Sequence, residues 1–159
     1  MAYTQVNNSN GTDYPFFKNT LRYGYIAGGL IALSLFALQK LGMEQSIGIK
    51  YISYIMLGLV LAYGLKEYDA YLETGTTFKK GMVFAAQICL FSGATLLIIH
   101  LITFLAGSSL VFSKYGVEAT SFSYWLLLSG GIFMEVMIAG LIFTFIILQA
   151  LKSRKNYKN

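Results

Sequence analysis

Residues 124–151 read YWLLLSGGIFMEVMIAGLIFTFIILQAL and contain one charged side chain, Glu135. A helix needs about 20 residues to cross a hydrocarbon layer of roughly 30 Å. This run is therefore long enough to cross alone, and it lacks the alternating pattern of a strand in a membrane barrel. The stretch predicts a membrane-spanning helix.

Three further apolar runs precede this one. The four predicted spans cover residues 21–38, 47–65, 82–105 and 124–151. Hydrophobic residues make up 56% of the chain and charged residues only 12%, a composition that argues against an ordinary soluble domain. Because the links are short, we predict an all-α, integral membrane, antiparallel up-down four-helix bundle in which consecutive helices are neighbours.

The same pattern divides the chain into three parts. Residues 1–14 are predicted to form a flexible cytoplasmic segment, residues 15–151 the transmembrane domain and residues 152–159 a basic cytoplasmic tail. Pro15 suits the first turn of a helix, with Thr12 or Asp13 as its cap.

Basic residues are divided unequally between the two sides of the predicted bundle. Nine Lys and Arg residues lie in the N-terminal segment, the connection after the second span and the C-terminal tail, against three on the opposite side. Basic residues beside short loops stay in the cytoplasm, so both termini are predicted to be cytoplasmic. The charges form no stripe interleaved with aromatics, so no nucleic-acid partner is expected. We interpret the tail as a topology signal, with binding to anionic lipid as the alternative.

Aromatic residues near the span ends predict two interfacial belts. The outer belt is Tyr51, Tyr54, Phe122, Tyr124 and Trp125, and the inner belt is Tyr63, Tyr68 and Tyr71.

Small residues recur at a spacing of four in three spans. Helices in lipid depend on close approach at such positions. The residues, taken span by span, are Gly24, Gly28 and Ala32; Ala85, Cys89 and Gly93; and Gly131 and Ala139, with Glu135 between these two. We interpret them as packing faces within one chain, with a homodimer or partner-binding face as the alternative.

Glu135 shares a helix face with Gly131 and Ala139, so we expect it to face another helix rather than lipid. An ionised acid at mid-membrane costs about 2.5–3.5 kcal/mol on insertion scales, which favours a protonated or hydrogen-bonded carboxyl group. Three roles remain open. They are a hydrogen bond between helices, a contact that docks a partner subunit, and a proton or cation relay.

His100 and Gln87 complete a candidate intramembrane polar site with Glu135. Neither matches the depth of Glu135 when the helices are laid out at about 1.5 Å per residue. A tyrosine hydroxyl, a serine, a water molecule or another subunit is therefore an alternative partner. With one His and one Cys in the chain, no metal site or cofactor is expected.

A resemblance to a known family rests on residues 63–88, YGLKEYDAYLETGTTFKKGMVFAAQI, and on residues 21–32, LRYGYIAGGLIA. Over about the first two thirds of the chain, the sequence resembles the small four-span membrane proteins of Bacteroidota known as domain of unknown function 4199. The matching positions are Gly64, Lys66, Tyr68, Gly75, Thr77, Phe78, Lys80 and Gly81. The resemblance implies a bacterial cytoplasmic membrane and a partner in envelope assembly, but no reaction.

Three functions follow as hypotheses. The first is a non-enzymatic accessory or assembly subunit that packs against another membrane protein or a second copy of itself, since no catalytic set is evident. The second is a small transporter or lipid flippase that uses Glu135 as a coupling site. The third, a lipid-modifying enzyme, needs a polar cavity shared by Glu135 and His100.

Overall fold

A computed structural model describes residues 15–41, 52–71, 78–106 and 122–156. Four helices account for nearly all of them. They are α1 (Phe16–Lys40), α2 (Ile52–Tyr71), α3 (Phe78–Leu105) and α4 (Phe122–Asn156). No strand occurs in these ranges, so the all-α prediction is confirmed for the described part of the chain.

The first helix begins directly after Pro15. The Asn19 amide donates to the Pro15 carbonyl at 2.9 Å, and Pro15 supplies no side-chain cap. The predicted caps Thr12 and Asp13, like the whole segment 1–14, lie outside the described residues. At the other end of the chain, α4 continues to Asn156, so the first part of the predicted tail is helical.

Three of the four helices are long and apolar enough to cross a membrane: α1, α3 and the Phe122–Lys152 part of α4. The described part of α2 is not among them. The last six of its 20 residues include three charged ones, Lys66, Glu67 and Asp69. The predicted second span, 47–65, begins outside the described residues.

Contacts between side chains show that consecutive helices run in opposite directions. Gly24 of α1 lies against Phe91 of α3, and Gly28, one turn later, lies against Thr95, so α1 and α3 are parallel. In contrast, Cys89 of α3 lies against Gly140 of α4, and Phe78 at the start of α3 contacts Phe145 farther along α4. The alternation that we predicted is therefore present.

The order of the helices around the bundle differs from the prediction. Helix α1 packs against α3 and α2, α4 packs against α3 and α2, and α2 meets α3 only weakly, across a diagonal. The expectation that α2 and α3 would be neighbours is wrong. The close fit of α1 onto α3 at Gly24 and Gly28 decides the order. The six residues between α2 and α3 can reach about 20 Å, enough for a diagonal of roughly 14 Å between helices 10 Å apart.

The centre of the bundle is apolar. Its fully buried side chains include Ile31, Leu57, Leu61, Leu65, Phe84, Ile88, Leu96, Ile132 and Val136. The outer faces are also apolar and exposed, as Leu33, Leu127 and Ile138 illustrate. A soluble monomer rarely exposes apolar area on this scale, so lipid is the solvent that suits these faces.

The members of the two predicted aromatic belts differ in exposure. Phe122, Tyr124, Tyr63 and Tyr71 are exposed, as expected of interfacial residues. Three other members of the belts, Tyr54, Tyr68 and Trp125, are buried against neighbouring helices, and Tyr51 lies outside the described residues. Each has an aromatic or polar partner inside the bundle. Tyr68 stacks on Phe84, Trp125 contacts Phe104, and Tyr54 donates a hydrogen bond to Glu135.

Candidate functional site

Glu135 lies at the contact between α4 and α2. The buried hydroxyl group of Tyr54 donates a hydrogen bond to its Oε2 atom. Glu135 itself is half-buried. A tyrosine hydroxyl was one of the partners expected from the sequence. The structure therefore satisfies the acid by a hydrogen bond between helices, which is the chemistry that an apolar surrounding requires.

His100, on α3, lies elsewhere in the bundle and is fully buried. The indole Nε1 of Trp125 donates to its carbonyl oxygen at 3.3 Å. Trp125 precedes Glu135 by ten residues, or about 15 Å along α4. His100 and Glu135 are therefore at different depths, which argues against the shared cavity that a lipid-modifying enzyme needs.

Gln87 faces a third helix. Its Oε1 atom accepts a hydrogen bond of 3.3 Å from the hydroxyl group of Thr20 on α1. This contact joins the N-terminal halves of α1 and α3. Glu135, His100 and Gln87 thus belong to three separate helix contacts, and the structure does not bring them together as one polar site. In the described ranges no three His, Cys, Asp or Glu side chains lie close enough to hold a metal ion.

The small residues of α1 are packing positions, as predicted. A Cβ atom added to Gly24 would lie 2.3 Å from the Cβ of Phe91. One added to Gly28 would lie 2.7 Å from the carbonyl oxygen of Ser92. Ala32, the third member of the stripe, is also buried. No side chain fits at either glycine without moving α1 away from α3.

The contact between α3 and α4 depends on two glycines. A Cβ atom on Gly93 would lie 2.5 Å from the ring of Phe133, and one on Gly140 would lie 2.2 Å from the Sγ of Cys89. The spacing of small residues predicted Gly93 as a packing position but did not include Gly140. The face of α4 that packs inward contains Ile132, Val136 and Gly140. It is shifted by one residue from the predicted face, so the small residue directly after Ala139 was the signal in the sequence.

Gly131 and Ala139 therefore do not lie at the centre of a helix contact. Gly131 is exposed and Ala139 is half-buried. The predicted groove around Glu135 is open on the Gly131 side, because the face formed by Ile132, Val136 and Gly140 is the one that packs inward.

A second polar feature, which the sequence analysis did not predict, is an open groove between α1 and α2. Its volume is about 300 Å³. It is lined by Arg22, Tyr23, Ile26, Leu59, Val60, Tyr63 and Glu67. The signal in the sequence was a cation at the start of the first predicted span and a carboxylate just after the second. The two come close together when α1 and α2 run antiparallel.

Comparison of the chain with protein-family models, with curated proteins and with solved structures gives no match. The resemblance to the four-span family remains a prediction from the sequence.

Proposed function

We propose that the chain is a non-enzymatic accessory or assembly subunit of a bacterial cytoplasmic-membrane complex, with both termini in the cytoplasm and a role in envelope biogenesis. Three helices suited to a membrane support the setting. The family resemblance and the distribution of basic residues are the grounds for the rest of this placement.

The outer face of α4 carries the proposal. At Gly24, Gly28 and Gly93, neighbouring helices of the same chain already lie in close contact. Gly131, by contrast, is exposed, and the half-buried Glu135 follows one turn later. A small residue beside a polar one is the combination by which helices associate in lipid. This face is therefore the part of the predicted packing pattern that remains available to another helix.

The flanking side chains fit such a contact. Met134 and Ile138 are both 56% exposed on the same side of α4. They would pack around a helix that approaches closely at Gly131. The occupant is another membrane protein, with a second copy of this chain as the alternative.

Site-specific photocrosslinking in native membranes tests this proposal. A photoreactive residue at Met134 is expected to give one discrete crosslinked protein product. The matched control is Leu90 of α3, which is 48% exposed and lies at a similar depth. A photoreactive residue there should give no such product. Absence of a protein product at Met134, or identical products at both positions, would contradict the proposal.

A small transporter or lipid flippase is the second candidate. The observation in its favour is that Glu135 is only half-buried and is hydrogen-bonded to Tyr54, a second group able to exchange a proton. The test is transport by Glu135→Gln protein in proteoliposomes. A coupling role predicts loss of transport, and an assembled variant with full transport would exclude the role.

A further inference from the structure

The groove between α1 and α2 has a polar end and an apolar end. Arg22, Tyr23 and Glu67 line one end, and Leu59 and Val60 line the other. Glu67 and Leu59 are eight residues apart, so the groove extends about 12 Å along α2. Both Arg22 and Glu67 are exposed at its mouth.

The polar end lies where headgroups would be if the predicted spans are embedded. Arg22 comes at the start of the first span, 21–38, and Glu67 comes two residues after the end of the second, 47–65. The apolar end extends toward the hydrocarbon layer. Tyr63, which is 66% exposed, lies between the two ends, at a depth that suits an interfacial tyrosine.

The carboxylate at the mouth is held in place. The Tyr23 hydroxyl donates to Oε2 of Glu67, and the Tyr23 ring packs edge-on against that of Tyr63, with 6.2 Å between the ring centroids. A carboxylate has about four lone-pair sites, so Glu67 can accept a further hydrogen bond from a ligand while it keeps the one from Tyr23. The groove thus presents a positioned, negatively charged hydrogen-bond acceptor, Glu67, together with the guanidinium group of Arg22.

We propose that this groove binds a zwitterionic phospholipid whose headgroup carries a primary ammonium group. The Arg22 guanidinium binds the phosphate, for which its planar donors are suited. Glu67 accepts a hydrogen bond from the ammonium group. The first part of an acyl chain packs against Ile26, Leu59 and Val60.

The charges of the groove select this lipid over two others. An anionic lipid without an amine would bring its negative charge toward Glu67 and leave that carboxylate without a counter-charge. A trimethylammonium headgroup has no N–H to donate to Glu67. Phosphatidylethanolamine has both the phosphate and the N–H donors, so it satisfies Arg22 and Glu67 together.

Native mass spectrometry of the full chain provides the test. Purified protein is equilibrated with micelles that contain equal amounts of phosphatidylethanolamine, phosphatidylglycerol and phosphatidylcholine. We expect preferential retention of phosphatidylethanolamine by the wild-type protein. Loss of one charge-assisted hydrogen bond corresponds to about a tenfold weaker affinity, so Arg22→Gln and Glu67→Gln should each lose this preference.

Three variants serve as controls. Lys18→Gln and Lys66→Gln remove exposed charges that do not line the groove, so both should retain the preference for phosphatidylethanolamine. Leu59→Trp keeps both charges but fills the apolar end of the groove from an exposed position, so it should weaken retention. The variant is expected to fold, because Leu59 is not part of the buried core.

Several results would overturn the proposal. One is equal retention of the three lipids by the wild-type protein. Another is a Glu67→Gln protein that retains more phosphatidylglycerol than the wild-type protein does, while its retention of phosphatidylethanolamine is unchanged. That result would indicate a simple anion site at Arg22. Equal losses for Lys18→Gln and Arg22→Gln would indicate general surface electrostatics. None of these outcomes depends on a partner subunit at α4.

Discussion

Replacement of Gly24 by alanine separates the role of close helix approach from that of helix propensity. The added Cβ atom would lie 2.3 Å from the Cβ of Phe91 and 3.2 Å from the carbonyl oxygen of Ile88. Neither atom is the free end of a flexible side chain. Gly29, on the same helix, has no atom within 4 Å of an added Cβ. Gly29→Ala is therefore a matched control.

The size of the effect follows from this geometry. Ordinary contact begins at 3.4 Å, so α1 must move away from α3 by about 1 Å at Gly24. Overpacking of this kind costs about 1–3 kcal/mol. Both variants share the gain in helix propensity of about 1 kcal/mol from Gly to Ala. The difference between the two variants in the free energy of bundle opening is therefore about 1–3 kcal/mol.

The free thiol of Cys89 provides the assay. Cys89 is fully buried, so a maleimide reaches it only when the helices separate. When closing is faster than alkylation, the labelling rate follows the population of the open state. In detergent micelles, Gly24→Ala is expected to label about 5- to 150-fold faster than Gly29→Ala. Equal labelling rates for the two variants would refute the close approach of α1 to α3.

Four further substitutions test other parts of the bundle. Tyr54→Phe removes the hydrogen-bond donor to Glu135 and should destabilise the bundle by about 1–3 kcal/mol, which would appear as faster labelling of Cys89. An unchanged labelling rate would argue against the hydrogen bond between Tyr54 and Glu135. Gly140→Ala should lower the free energy of unfolding, measured by denaturant titration with tryptophan fluorescence, because the new Cβ would clash with the Sγ of Cys89. Adding Cys89→Ala to this variant removes the Sγ atom and should restore part of the loss. Burial raises the pKa of Tyr68. The unfolded chain loses the Tyr68 proton from about pH 10, whereas the folded chain still holds it. The free energy of unfolding should therefore fall as pH rises above about 10, and it should fall less steeply in Tyr68→Phe.

Part of this structure could be predicted from the sequence because it depends on local pattern. Long apolar runs predicted three helices that have the length and hydropathy to cross a membrane. The spacing of Gly24, Gly28 and Ala32 predicted a packing face on α1. The rise per residue also predicted that His100 and Glu135 lie at different depths.

The rest depends on which helices are neighbours, and no local pattern contains that information. The sequence did not show that Gly24 would meet α3 rather than α2. Tyr54 was assigned to the interface by its place near the start of a span, whereas its hydroxyl group binds Glu135 inside the bundle. The groove at Arg22 and Glu67 was missed because it appears only when α1 and α2 are placed side by side.

Topology mapping with single cysteines in a Cys89→Ala background tests most directly the claim that the chain crosses a membrane with its termini inside the cell. The account predicts that cysteines at Lys40 and Leu105 react with an impermeant reagent in intact cells. Cysteines at Lys18, Lys79 and Lys152 should react only after lysis. Labelling of Lys18 or Lys152 from outside, or equal labelling of Lys40 and Lys79, would contradict the account.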